Sequence, residues 1–240
     1  MRSTTMTPSF NDYAERICAL PAVPEESDVL NRRFRLGREG RLEAFYAPLH
    51  GVNHDARIVI VGLTPGLSQM LVAFREARAL LVEGWRPPGI YHEIRRRMAF
   101  AGTMRRNLIE MLDRIGVAER LDLASTTALF DDASDLLHST STLRFPVLRD
   151  RRNYSGSPSL KHSQLLTSMA AANLVPELDK LPIALIVPLG RAVEGALAHL
   201  GIDQSRKMLH GFPHPSGGNG HRTSQFKSEY RQLRRAARNW

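Results

Sequence analysis

The sequence is poor in several features that define protein classes. Its 240 residues include a single cysteine, Cys18. That excludes a disulfide framework, a multi-cysteine zinc site and a cysteine-ligated iron–sulfur cluster. No apolar run approaches the roughly 18 residues that cross a bilayer. Residues 1–24 mix acids and bases and lack the apolar stretch of a secretory signal, so the expected setting is the cytoplasm. There is no internal repeat and no low-complexity segment. Lysine is scarce too, with only Lys161, Lys180, Lys207 and Lys227.

What remains is an ordinary globular composition, 42% hydrophobic and 24% charged, in a chain long enough to bury a core without staples. Its charge is not ordinary. Lysine and arginine number 33 against 24 acids, a net +9 carried mostly by arginine. Such an excess favours polyanions, and nucleic acid is the commonest one in a cytosol. Genome-driven arginine usage is the competing explanation.

Hydrophobic patterning sets the expected layout. Residues 1–26 read as a loose arm or a capping helix, and 27–240 as one domain. The apolar run from Ala56 to Gly62 reads as a buried parallel strand, and the run from Pro182 to Gly190 as a second. Leu67–Val82, Thr103–Ile115, Ser163–Leu178, Arg191–Leu200 and Ser224–Arg238 read as helices. Leu136–Leu143 and Lys207–Gly211 read as further strands, and Arg149–Ser159 as a basic loop. Alternating strands and helices predict an α/β protein with a mostly parallel sheet. Ligands in such sheets sit beyond the carboxyl ends of the strands, where two loops fall. One is Leu63-Thr64-Pro65-Gly66. The other is Pro213-His214-Pro215-Ser216-Gly217-Gly218-Asn219-Gly220-His221-Arg222, whose small residues suit close approach to a phosphate.

Taken singly, each loop reads equally well as a plain turn. Together they resemble the two active-site motifs of the uracil-DNA glycosylase superfamily: Gly-x-x-Pro-Gly after the first strand and His-Pro-Ser-x-x-Asn after the last. Between them, Ala99-Phe100-Ala101-Gly102 with Leu108, Leu112 and Ile115-Gly116 resembles that superfamily's Phe-x-Gly segment and helix. Val187-Pro188-Leu189-Gly190-Arg191-Ala192 resembles its third strand and following helix. The match runs in order from about Arg57 to Arg222 and is closest to the single-strand-selective monofunctional branch.

The resemblance implies a three-layer α/β/α sandwich with a four-stranded, mostly parallel sheet. It implies a monomer that binds DNA, flips a base out of the stack and hydrolyses its N-glycosidic bond, with no cofactor and no metal. His214 matches the donor that stabilises the departing base, and Phe100 the aromatic that stacks on it. Gly62 and Leu63 would line the base. Pro65, Gly66 and the loop residues Ser216, Gly217, Gly218, Asn219, His221 and Arg222 would hold the DNA backbone, helped by Arg151 and Arg152. His210 and His214 are four apart, but Gly211 and Pro213 prevent the helix that would align them on a metal.

Two departures from the pattern set further expectations. Thr64 stands where the superfamily carries Asp, Asn or Glu, and a hydroxyl can position water but not activate it. Asp131, Asp132 or Asp135 are the candidate replacements. The middle strand lacks the Asn that reads a pyrimidine edge, with His138 or Ser139 nearest its place. A modified pyrimidine, hydroxymethylated or glucosylated as in phage DNA, then becomes a candidate substrate, with antiviral defence as the role. Uracil repair and a non-catalytic DNA-binding role are the alternatives.

Overall fold

A computed structural model describes residues 7–98, 102–202 and 206–240. In chain order the helices are α1 (Ala14–Cys18), α2 (Glu26–Val29), α3 (Leu67–Val82), α4 (Gly89–Met98), α5 (Gly102–Arg114), α6 (Val117–Arg120), α7 (Gln164–Leu178), α8 (Arg191–His199) and α9 (Arg222–Arg238). The strands are β1 (Arg35–Glu39), β2 (Leu42–Phe45), β3 (Ile58–Gly62), β4 (Leu137–Ser141), β5 (Val147–Arg149), β6 (Arg152–Asn153) and β7 (Leu185–Pro188). They form two sheets in a mixed α/β protein, and the chain gathers into two compact units built from interleaved segments.

The first unit takes in the described residues of Met1–Val52, Thr64–Met98 and Leu143–Glu177. Its sheet is antiparallel, in the order β1-β2-β5-β6. The segment expected to be a basic loop is instead a hairpin. Leu148 pairs with Asn153 and Arg149 with Arg152, while Asp150 and Arg151 make the turn at φ of 51° and 60°. Two successive left-handed residues give the tight turn that matches strand twist, and an aspartate tolerates that conformation well. Asp150 also pairs with Arg41. In the amino-terminal segment α1 is present, with Phe10, Ile17 and Leu20 buried.

Aromatic rings fill this unit. Tyr13 stacks on Tyr46 at 3.7 Å between centroids and on Phe34, while Phe74 and Phe145 pack edgewise or tilted against Tyr46. His50 sits among Phe10, Tyr46, Tyr91 and Phe145, its Nε2 3.1 Å from the Tyr46 hydroxyl. Burial pushes the His50 pKa down to about 4, with the nearby Arg144 adding to the effect.

The second unit takes in the described residues of Asn53–Leu63, Ala99–Thr142 and Leu178–Trp240. Its sheet is parallel, in the order β4-β3-β7. The expected fourth strand shrinks to a single parallel bridge between Ile186 and Met208, with Leu209 N–H donating to the Ile186 carbonyl at 2.9 Å. Ile58–Val61 and all of β7 are buried, as continuous apolar runs in a parallel sheet should be. One face, carrying Ile58, Ile60, Leu137, Leu185 and Val187, packs on Leu108, Met111 and Leu112 of α5 and on Phe226, Leu233 and Ala237 of α9. Apolar residues at helical spacing place those helices against the sheet.

Candidate active site

Parallel strands end together, and the second unit's carboxyl-terminal edge is where its loops converge. The Gly62 carbonyl accepts from the Thr142 N–H at 2.8 Å and from the Thr142 hydroxyl at 3.2 Å. Leu189 N–H donates to the Val61 carbonyl at 2.9 Å. Gly190 N–H donates to the Phe212 carbonyl at 3.1 Å. Gly190 holds φ at +88°, and a Cβ there would stand 3.0 Å from the His214 Cβ. Only glycine suits both the conformation and the approach. These bonds link the end of β3, the residue after β4, the turn after β7 and the start of the His214 loop at one edge.

The loop is tied down from several sides. Pro213 and Pro215 are buried and Ser216 is half-buried, whereas Gly217 and Gly218 are exposed. Asn107 of α5, itself 4% exposed, donates its Nδ2 to the Pro215 carbonyl at 2.8 Å. Asn219 Nδ2 donates to the His214 carbonyl at 3.1 Å and to Gln225 Oε1 at 3.1 Å. The Arg222 guanidinium donates to the Ser216 carbonyl at 3.3 Å. Upstream, the Glu194 carboxylate accepts from the Gly211 N–H at 3.2 Å and lies 3.0 Å from His210 Nδ1.

The ring of His214 is half-buried. The Ser216 backbone N–H donates to its Nδ1 at 3.3 Å, and burial holds its pKa below the usual histidine value. A neutral imidazole whose Nδ1 accepts must carry its proton on Nε2. His214 is therefore a neutral donor set in a braced loop, suited to stabilising negative charge that develops on a bound group.

The other expected site residues fall into three groups. Gly62, Leu63, Ser216, Gly217, Gly218, Asn219, His221 and Arg222 lie at or beside this edge, though Arg222 opens α9 rather than ending a loop, with His221 preceding it. A second group lies elsewhere in the second unit. His138 pairs with Val59 and Ser139 with Ile60, so both sit inside β4 rather than at its end. The residue opposite Gly62 is Ser141, whose Oγ lies 3.4 Å from where a Gly62 Cβ would be. Ser139 Oγ is buried with no hydrogen-bond partner among the described residues. Asp131, Asp132 and Asp135 precede β4, at the amino end of the sheet, and all three are exposed. In a parallel sheet that is the opposite edge from His214, so none of them replaces a carboxylate beside it.

The third group belongs to the first unit. The Thr64 hydroxyl accepts from the Val147 N–H at 3.1 Å and lies 3.3 Å from the Phe145 carbonyl as donor. It ties its turn to the Phe145–Val147 segment. Pro65 is buried, and Gly66 adopts an ordinary extended conformation at φ −78° rather than one reserved for glycine. Its N–H donates to Gln69 Oε1 at 2.9 Å, and the Leu67 N–H donates to Asn153 Oδ1 at 2.9 Å. Arg151 and Arg152 are exposed on the β5–β6 hairpin. Phe100 lies outside the described residues.

Sequence reading missed Asn107, Glu194 and Ser141, and placed Gly190 only in the motif that follows a strand. Asn107 had a signal: it is a polar residue on the apolar stripe of a helix, beside Leu108 and one turn from Met111. Such a group is buried only when a partner awaits it. Glu194 and Ser141 had none, because their partners are distant in sequence or fixed by strand register.

Among the described residues no group of three or more His, Cys, Asp or Glu side chains could hold a metal ion, and no helix is long and apolar enough to cross a membrane. No protein-family model matches the chain, and no solved structure matches it. A similar sequence is the uncharacterized protein YoxB of Bacillus subtilis (strain 168), 37% identical over 237 residues that cover 96% of this chain and 93% of YoxB.

Proposed function

We propose that this chain, which belongs to the family of Bacillus subtilis YoxB, is a DNA glycosylase that hydrolyses the N-glycosidic bond of a flipped base and leaves an abasic site. The observation that carries the reading is the His214 imidazole, which keeps Nδ1 on the Ser216 N–H and so has its proton on Nε2, at the carboxyl edge of a parallel sheet. The motif resemblance to the uracil-DNA glycosylase superfamily supports it, as does the net charge of +9. On this reading the second unit is the core of a glycosylase-like α/β/α sandwich, and the protein acts as a monomer on cytoplasmic, nucleoid DNA.

The bond's electron pair leaves with the base, water adds to the sugar carbon, and the proton that the water sheds ends on the departed base. Negative charge grows on the departing base, where the Nε2–H of His214 donates to it. A neutral donor suits this task, because its proton stabilises the anion without having to be transferred. Gly217 and Gly218 offer exposed backbone to the strand from which the base has left. The strand position that would read the base edge is Ser141, a short side chain that leaves room for a substituent. A decorated pyrimidine is therefore the favoured substrate, with defence against phage DNA as the role, and plain uracil repair comes second.

The test is mass spectrometry of bases released from uracil-containing DNA and from DNA with hydroxymethylated or glucosylated cytosine. Release of a modified pyrimidine in preference to uracil is the expected result, and strong uracil release would reject the modified-base substrate. A specific observation favours one other reading, a non-catalytic DNA-binding protein. The Thr64 hydroxyl is engaged by backbone groups, and Asp131, Asp132 and Asp135 stand at the far edge of the sheet. No release from any of these substrates, with binding intact, would favour it over the glycosylase.

A further inference from the structure

We propose that the carboxyl-terminal half of α9 is a second anion site, a groove that takes phosphates of a nucleic-acid backbone away from the His214 loop. Arg231, Arg234, Arg235 and Arg238 line a shallow open groove with Tyr230 and Asn239. Their spacing of three, four and seven puts the four guanidinium groups on one stripe of the helix. The opposite stripe, Phe226, Leu233 and Ala237, is buried against the sheet, so the orientation of the helix is fixed by its core face.

Three features distinguish this stripe from a merely solvated face. None of the four arginines pairs with a carboxylate among the described residues, although elsewhere Arg35, Arg41, Arg144 and Arg206 do. Arg234 is braced: its Nη1 donates to the Tyr230 hydroxyl at 3.0 Å, its guanidinium lies 6.0 Å from that ring's centroid, and its buried Nε has no acceptor among the described residues. A braced guanidinium loses less freedom on gripping a phosphate than a free one. Finally, the helix dipole does not account for the stripe. It favours cations only in the last turn, which covers Arg235 and Arg238 but not Arg231 and Arg234.

The chemistry points to phosphodiesters. A row of planar, permanently charged forks along about two helical turns matches repeated phosphate oxygens better than one compact anion. The row is nine to sixteen residues beyond Arg222, so at 1.5 Å per residue it lies about 13–24 Å along the helix from the His214 loop. The carboxyl end of α9 is anchored there, since Trp240 Nε1 donates to the Ile183 carbonyl at 3.1 Å and Arg120 Nε donates to the Trp240 carbonyl at 2.8 Å. The groove would thus engage a backbone stretch different from the one at the loop. It does not depend on the glycosylase reading.

The test is the salt dependence of binding of the full chain to a duplex of about 30 ordinary base pairs, which contains no substrate base. Two double variants, R235Q/R238Q and R231Q/R234Q, are compared with the wild type after their melting temperatures are checked. The expected result is a slope of log affinity against log salt shallower by about 2 for R235Q/R238Q, since each neutralised phosphate adds about 0.9. The loss should be the same for any duplex sequence. An unchanged slope in R235Q/R238Q, whose side chains are exposed, overturns the proposal even if R231Q/R234Q fails to fold. Unchanged DNA binding with lost binding to anionic phosphatidylserine vesicles would reassign the stripe to membranes and overturn it too. A protein that releases no base but shows the change in slope leaves this site standing and the glycosylase reading fallen.

Discussion

The two units each hold a histidine whose pKa is lowered by burial, and the histidines differ in what burial achieves. His50 is enclosed by aromatic rings, and its Nε2 faces the Tyr46 hydroxyl. Every neighbour there is part of the packing, so the ring is a piece of core that happens to titrate. His214 is only half-buried, its Nδ1 is held by a backbone N–H, and its loop is braced through Asn107, Asn219 and Arg222. Burial alone does not mark a functional histidine. What sets His214 apart is its place in a braced loop at the carboxyl edge of the parallel sheet, and that is what the proposed role rests on.

The strongest way to sharpen this contrast is to remove each ring. For His214→Ala the expected loss is on the order of 10²–10³ in the single-turnover rate of base release, the typical effect of deleting a donor to a developing anion. Affinity for a non-cleavable duplex should barely change, because phosphate contacts carry most of it. The measurement is base release with protein in excess beside a binding titration. Equal rates for variant and wild type would take His214 out of the mechanism.

His50 should show its effect in stability instead, through pH. Its pKa falls from 6.5 to about 4 on folding, so between those values the unfolded chain binds the extra proton. Stability is therefore full above pH 6.5 and falls as the pH drops towards 4. The loss is on the order of 2–3 kcal/mol, because each tenfold drop in proton affinity on folding is worth about 1.4 kcal/mol. Urea melts across this range should show that decline, and His50→Phe should flatten it. A wild-type stability that is level from pH 7 to 4 would show that His50 does not titrate on unfolding.

The two units also differ in how much of them the sequence discloses. The parallel unit is legible because two of its strands, β3 and β7, are buried and read as continuous apolar runs, Ile58–Val61 and Leu185–Pro188. Its helices carry apolar residues on one stripe, and α3 in the other unit is equally plain at Leu67–Val82. The hairpin of β1 and β2 escapes notice. β1 reads Arg-Leu-Gly-Arg-Glu, an edge strand with a bulge near Gly37, and its apolar content is too thin to signal a strand. In the site, the His214 loop stands out through its residue types, whereas register decides that Ser141 and not His138 faces the end of β3. A one-residue slip flips a strand's side chains to the other face, and nothing local in Leu-His-Ser-Thr-Ser fixes it.

The smallest expected effect tests the one residue for which sequence and geometry disagree most. By the motif resemblance Thr64 is expected to position water, yet its hydroxyl accepts from the Val147 N–H and donates towards the Phe145 carbonyl. If its work is to fasten that turn, Thr64→Ala leaves the Val147 N–H without its partner. The expected cost is about 1 kcal/mol in unfolding free energy, because the site is half-buried and water can partly replace the hydroxyl. Thr64→Ser keeps both bonds and should restore most of that stability. The single-turnover rate should change less than threefold in either variant, far below the loss at His214. Chemical denaturation and base release measured on the same preparations separate the two roles. A Thr64→Ala protein of unchanged stability whose rate falls tenfold or more, with Thr64→Ser recovering it, would return the hydroxyl to the chemistry and leave the turn to be held by Pro65 and the Gly66–Gln69 contact.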